Sequence, residues 1–438
     1  MAKTSEDYAK VYTGFFVTTD FNRNTQDRTE PSDNYSHHRK RSDKISELSN
    51  LSIIKKEKRV YVSYENTLYS ANDIDALALV LDHTVKQYPS SELIYMTVKK
   101  SDIPQYTLRV DTKAYQTFLL TGQKTPELMQ QVRLNHLNTP ATHSDRFKPL
   151  FKVSPSFILV DGSEYGHMDY TLSADFSLSM RFAKGLTGTM QAFVPLSMSE
   201  NFDLYGIFDY RNRNKVEADI DQLFLSQYFA SDLDNVRWMN VVQAGLFDYE
   251  LYGASWHTAV IDNSGKHLAM MKLSYLQDDL YRVIDRYSNT DKRKELLVSY
   301  RYYCETLHSD FKLTAGEFLY GDQGVSASMK RYFGDMHIKF DLAYTEHDLR
   351  GKNNVVKIAF TIPLFSKRYK SKHFDIAAGN FVYERRKTIV NAGKNYAQPL
   401  HLKELDNDYT LENYYLDEGR NHPAYIQSNL DRLRNFSY

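Results

Sequence analysis

The stretch DYTLSADFSLSMRF, Asp169 to Phe182, alternates without a break. From Tyr170 to Phe182 its even positions are Tyr, Leu, Ala, Phe, Leu, Met and Phe, and the odd positions between them are Thr, Ser, Asp, Ser, Ser and Arg. A period of two sends successive side chains to opposite faces of a strand, so this segment has one apolar face and one polar face. Strands in soluble sheets average about 5–6 residues, whereas a strand crossing a bilayer at a tilt needs about 9–11. The segment meets the longer requirement.

The same logic recurs downstream. Met336, Ile338, Phe340, Leu342 and Tyr344 oppose His337, Lys339 and Asp341, and Val356, Ile358, Phe360, Ile362 and Leu364 oppose Lys357, Ala359 and Thr361. Between residues 161 and 386 nearly every segment reads as a strand, about twelve in all: 168–182, 186–197, 220–231, 236–247, 252–261, 265–277, 293–303, 308–320, 323–333, 335–346, 354–365 and 372–384. Strands 220–231 and 236–247 alternate poorly, and 323–333 carries Arg331 in register with Val325, Ala327 and Met329. Short turns such as AKG (183–185) and FGD (333–335) alternate with long polar loops, the pattern of an up-and-down sheet.

Lipid offers no partners to backbone groups, so a sheet inside it must close on itself. The expectation is therefore a mainly β fold, an antiparallel transmembrane β-barrel of about twelve strands, apolar outside and polar in its lumen. Tyr170, Phe182, Tyr332, Phe333, Tyr344 and Phe365 lie near strand ends, where such barrels carry aromatic girdles. The polar face supplies the candidate lumen-lining residues Asp175, Arg181, Arg301, Lys312, Lys330, Lys339, Asp341 and Lys357. Six basic groups against two acidic ones would favour an anionic chain. The plainer reading is that these charges solvate the interior or pair across strands. A soluble β-sandwich that binds polysaccharide is the alternative fold and function.

Before the strands lies a small α+β unit, residues 51–135, in the order β-α-β-β-α. RVYVSYEN is a strand, Asn72 caps a helix that lines up Ile74, Leu77, Leu81 and Val85, LIYMTVKK and QYTLRV are strands, and TKAYQTFLLTG is a helix ended by Gly122. Residues 1–50 read as one strand-like run (Val11, Thr13, Phe15, Val17, Phe21) and a polar linker in which His37 and His38 are solvated; 136–160 reads as a second linker, and 391–438 as a polar tail with one short helix.

Charge and composition exclude several classes. Lys+Arg and Asp+Glu balance at 55 each, so no basic field calls for nucleic acid. Despite 34 Tyr and 24 Phe, no run approaches the about 18 apolar residues of a membrane-spanning helix. Cys304 is the sole cysteine, so disulfide frameworks and Cys-based metal clusters are excluded. The first residues show neither a secretory signal nor a lipid-attachment cysteine. No dinucleotide loop, phosphate loop, nucleophile elbow or zinc-protease motif occurs; the reading is a non-enzymatic protein with no catalytic residue, metal or cofactor.

Several pieces in order carry a resemblance: VYVSYENTLYSANDIDALALVLDHTV, AGLFDYELYGASW, YGDQGVSASMKRYF and FTIPL. Over residues 50–390 the chain resembles the C-terminal two-thirds of the YjbH/GfcD-type exopolysaccharide (capsule) biosynthesis proteins. The resemblance implies a Gram-negative outer-membrane protein that works with outer-membrane lipid, an exopolysaccharide chain and other exopolysaccharide-operon proteins in assembly or export. It also implies a longer parent with a signal sequence and a further N-terminal β region, of which KVYTGFFVTTDF reads as the last piece.

Overall fold

The computed structural model describes residues 43–132, 145–163, 166–202, 217–248, 251–278, 291–348, 351–390 and 403–437. The strand-like run at residues 11–21 and the histidine pair at 37–38 lie outside them.

The first unit is a five-stranded sheet with two helices. Its strands β1 (Ser49–Lys56), β2 (Arg59–Glu65), β3 (Leu93–Lys100), β4 (Ile103–Asp111) and β5 (Met129–Val132) follow one another across the sheet. Only the β2–β3 pair is parallel, as the crossover through helix α1 (Asp73–Gln87) requires. The Asn72 side chain accepts from the Ile74 N–H at the start of α1, and Gly122 ends helix α2 (Thr112–Thr121). Strands β1 and β5 extend the expected β-α-β-β-α order at both ends. Val60, Val62, Ile94, Met96 and Leu108 turn toward the helices and join Leu77, Leu81, Tyr115 and Phe118 in one core. Each such side chain contributes roughly 1.5–3 kcal/mol of burial.

The rest of the chain is dominated by a large antiparallel sheet, so the protein is mainly β. Its long strands are β6 (Leu150–Ser163), β7 (Gly166–Ala183), β8 (Leu186–Met198), β9 (Asp219–Leu233), β10 (Val236–Asp248), β11 (Leu251–Asp262), β12 (His267–Asp278), β13 (Lys292–Cys304), β14 (Ser309–Glu317), β15 (Gln323–Phe333), β16 (Met336–His347) and β17 (Gly351–Pro363). Each pairs with the next in sequence. Two short pieces, β18 (Tyr369–Lys370) and β19 (Asp375–Ala378), and one more full strand, β20 (Asn380–Val390), complete the sheet.

Strand β6 corrects the sequence reading, because it occupies what reads as the 136–160 linker, and Pro155 in its middle disguises it. The opening stretch is therefore the second strand of this sheet, not the first. The expected strand 372–384 is likewise two pieces, β19 and β20, and they sit on different edges. Asp375–Ala378 pairs in parallel with Leu150–Val153, and the Gly379 N–H donates to the Val153 carbonyl at 2.8 Å. Asn380–Val390 then pairs antiparallel with Pro363–Asn353. One continuous run, Asp375–Val390, thus bonds to the first long strand and to the last, and Phe157 of β6 stacks on Tyr383 of β20.

The two faces of this sheet are inverted relative to a soluble protein. Leu225, Val298, Leu313 and Val325 are exposed at 51%, 57%, 63% and 54%, whereas Ser226, Gln243, Glu295, Arg301 and Thr345 on the other face are buried. Arg331, on the apolar face, lies at a strand end with its guanidinium over the Phe333 ring, which is where a charged group leaves an apolar surface. The short turns, at residues 184–185, 234–235, 263–266, 305–308 and 334–335, fall at one end of the sheet. The α+β unit meets that end: the Gly185 N–H donates to the Ser101 carbonyl at 2.9 Å, and Arg237 donates to the Pro104 carbonyl.

Candidate functional site

The polar face is covered by the chain's own C-terminal segment, 403–437. The segment starts beside the far end of the sheet, where the Leu405 N–H donates to Glu295 at 3.0 Å. It passes Gln243 at Asn407, turns through a π-helical turn at Leu411–Tyr415, and reaches the short-turn end, where the Ala424 N–H donates to the Ser264 carbonyl at 3.0 Å. Helices α3 (Pro423–Ser428) and α4 (Leu430–Ser437) then join the core of the α+β unit through Tyr425, Ile426 and Leu433. A helix at the end was expected; a buried run before it was not.

This segment explains the poor alternation of β9 and β10. Phe224, Tyr228, Met239 and Val241 of the covered face pack against Tyr409, Leu411, Tyr415 and Leu416, so those strands are apolar on both sides. The Tyr228 hydroxyl donates to the Tyr409 carbonyl, which ties the two together.

The expected lumen charges separate into two clusters and two residues that stand outside them. Lys312 pairs with Glu412 at 2.7 Å, Lys330 donates to the Glu418 carbonyl at 3.0 Å, and fully buried Arg301 lies 3.7 Å from Asp310. Asp310 accepts from Tyr332, whose hydroxyl also lies 2.9 Å from the Glu418 carbonyl. Gly419 threads through this cluster: a Cβ there would meet Tyr332, Asp310 and Arg301. Lys339 and Lys357 both face Asp341, at 3.3 and 3.4 Å, and Lys357 reaches Glu384 at 3.2 Å. Arg181 stands apart, bonded to Glu65 of the α+β unit at 2.6 Å, and Asp175 accepts from Ser173 at 3.3 Å, so these two do not form a pair.

The basic excess therefore has a local counterpart. The run from Lys403 to Arg420 holds six acids, Glu404, Asp406, Asp408, Glu412, Asp417 and Glu418, against two bases, the mirror of the six-to-two count on the sheet. Sequence reading missed Lys272, Asp278, Arg293, Glu295 and Asp310, which form further buried pairs: Arg293 with Asp278 at 3.0 Å and Lys272 with Glu295 at 3.4 Å. Extending the parity of Arg301 back through Ser299 and Leu297 would have reached Glu295 and Arg293. Among the described residues no cluster of three or more His, Cys, Asp or Glu is arranged for a metal ion, and no helix is long and apolar enough to cross a membrane.

Where the segment meets the α+β unit, Asp417 is pushed up to about 7, because burial disfavours its charge and the Asp73 carboxylate repels it, against the attraction of Arg420 and Lys100. Its folded value lies above its unfolded one, so the folded state holds the extra proton between about pH 4 and pH 7. Stability is expected to fall as pH rises through that window. Denaturant titrations at pH 5 and pH 8 should show a difference that shrinks in Asp417→Asn; an unchanged difference would assign it elsewhere.

No protein-family model matches the chain, and no curated protein sequence matches it.

Proposed function

We propose that the chain is an outer-membrane β-barrel protein, with its interior occupied by its own C-terminal segment, that serves exopolysaccharide assembly or export without chemistry of its own. The observation that carries the barrel is the inverted polarity: exposed Leu, Val and Phe on one face, buried ion pairs on the other. A β-sandwich buries its apolar faces against each other, so the soluble alternative runs against this arrangement. A membrane-embedded sheet needs lipid outside and no free edge. The run Asp375–Val390 supports the second condition, since it engages both edges. Strands β6 to β17 with β20 make thirteen, and an odd number brings first and last strands together in parallel, the sense of the β19–β6 pairing.

The polysaccharide part rests on the family resemblance. With the interior occupied and its charges matched, the favoured role is assembly or docking at the short-turn end rather than free passage of polymer through the sheet.

Detergent-extracted protein is expected to migrate faster on a gel unboiled than boiled, since a folded barrel resists dodecyl sulfate. A monodisperse monomer in detergent-free buffer would sink the barrel. Disrupting the gene should abolish surface polymer without changing the repeat unit of the polymer still made. Normal surface polymer would overturn the role.

A further inference from the structure

A cleft of about 440 Å³ opens between the α+β unit and the short-turn end of the large sheet. Ligand clefts commonly span about 300–1,000 Å³, so it is large enough for a short oligosaccharide segment. Its floor is the helix-free face of the small sheet, where cross-strand register aligns Tyr61 with Tyr95 and Ser63 with Thr97, and puts Lys99 next along β3. The two phenol rings stack at 5.1 Å and 11°. The opposite wall is the β7–β8 turn with Lys184 and the ends of β9 and β10.

That wall is held firmly. Gly185 has φ +72, and its backbone is bonded on one side to the Ser101 carbonyl at 2.9 Å and on the other to the Tyr228 N–H at 2.8 Å. A Cβ at Gly185 would strike the Tyr228 carbonyl, so the turn is seated against both units without slack.

The charges divide into committed and uncommitted groups. Asp232 is bonded to Arg237 at 2.7 Å, and Asp102 faces Arg146 at 3.1 Å and Arg181 at 3.8 Å. The Lys99 and Lys184 ammonium groups and the Tyr61 and Tyr95 hydroxyls make no hydrogen bond or ion pair with another described residue. Lys99 is held below the usual lysine range by burial, and Lys184 adds repulsion against the pull of Asp102 and Glu65, so the two ammonium groups share one field. Two cations and two phenols thus converge on one space. Donors around a cation pair recognise hydroxyl groups that surround an anionic carboxylate.

We propose that this cleft binds a carboxylate-bearing saccharide, a uronic acid unit within a short segment of polymer, with Lys99 and Lys184 on the carboxylate and the Tyr61 and Tyr95 hydroxyls on the sugar hydroxyls. The proposal rests on reading the chain as a polysaccharide-handling protein. It moves anion recognition from the covered face of the sheet, where the C-terminal segment engages Lys312 and Lys330 and acids of the sheet face Arg301, Lys339 and Lys357, to the seam between the two units.

The test is calorimetric titration of the full chain in detergent with tetragalacturonate, a glucuronate-bearing tetrasaccharide, maltotetraose and citrate. At least one acidic tetrasaccharide should bind saturably, ten-fold or more tighter than maltotetraose or citrate. The Lys99→Ala/Lys184→Ala double variant should weaken it at least ten-fold, and Lys99→Arg/Lys184→Arg should restore most of that loss. Absence of acidic-saccharide binding, equal binding of citrate, or unchanged affinity in the double alanine variant overturns the proposal. Lys184 is exposed, so Lys184→Ala alone carries the same comparison where the double variant does not fold. Gel migration of the same samples separates the two readings: heat-modifiable protein that does not bind removes the cleft and leaves the barrel, and binding by protein that is not heat-modifiable does the reverse.

Discussion

Gly419→Ala is expected to destabilise the folded protein by about 2–6 kcal/mol, the combined cost of a strained backbone and an overfilled core. Gly419 has φ +95 and follows Asp417 and Glu418, themselves at φ 47 and 55, so three consecutive residues occupy the left-handed region. The added Cβ would lie 2.6 Å from Asp310 Oδ2 and 3.0 Å from Arg301 Nη1, and would also strike the Tyr332 hydroxyl. None of these neighbours can move away freely, because Asp310 and Tyr332 are bonded to each other and Arg301 is fully buried. Gly334→Ala separates the two causes. It also has positive φ, +64, but has nothing within 4 Å of its would-be Cβ, so it should show the backbone cost alone. Denaturant midpoints measure both variants, and trypsin access to Arg420 reports release of the segment. Equal midpoints for the two variants would mean that the segment does not pass through the Arg301 cluster.

Arg181→Ala is expected to cost about 3–5 kcal/mol, the range for removing one partner of a buried ion pair. Glu65 and Arg181 are both buried, and Glu65 also accepts from the Ser101 N–H at 2.7 Å and from Asn50 at 2.8 Å. Without the guanidinium, the Glu65 carboxylate would remain buried with Asp102 close by, and the 3.8 Å contact between Asp102 and Arg181 would be lost at the same time. Removing both charges should cost less than removing one, so Arg181→Ala combined with Glu65→Gln is expected to recover at least half of the loss. The readout is a double-mutant cycle in denaturant, with protease sensitivity of the α+β unit as a second measure. A double variant as unstable as the sum of its parts would show that the two residues act independently.

Much of the large sheet is legible in local pattern, because a period of two and glycine-containing turns are properties of neighbouring residues. Strands β7, β8 and β13 to β17 fall close to where alternation puts them. What escapes is whatever depends on partners distant in the chain. Strand β6 looks like a linker because Pro155, which has no N–H to donate, argues against a strand, and its edge pairing with residues beyond 370 leaves no local trace. Strands β9 and β10 look irregular because their covered face needs apolar contacts for Tyr409 and Tyr415. The C-terminal segment looks like a solvated tail for the same reason in reverse: it is acidic because its surroundings are basic, and composition alone does not distinguish water from a lysine-lined wall. Of the eight candidate interior residues, Lys312 and Lys330 are joined by that segment, Lys339, Asp341 and Lys357 by one another, and Arg181 by the α+β unit. The cleft was invisible, because its two walls are separated by about a hundred residues of sequence.

The route of the last thirty-five residues ties the beginning of the described chain to its end. Leu433 and Tyr425 help fill the core of the α+β unit, and Arg432 clasps Asp75 of α1 at 2.6 and 2.8 Å. Helix α4 follows every strand of the sheet in the chain, and its Arg432–Asp75 contact joins residues 357 positions apart. Such distant pairings form late. Until then the α+β unit carries an open apolar gap where Leu433 belongs. The small unit therefore acts as a completion gauge: its core is sealed only when the sheet behind it has formed, and a chain that stalls partway displays its unfinished state to any protease or chaperone that samples it.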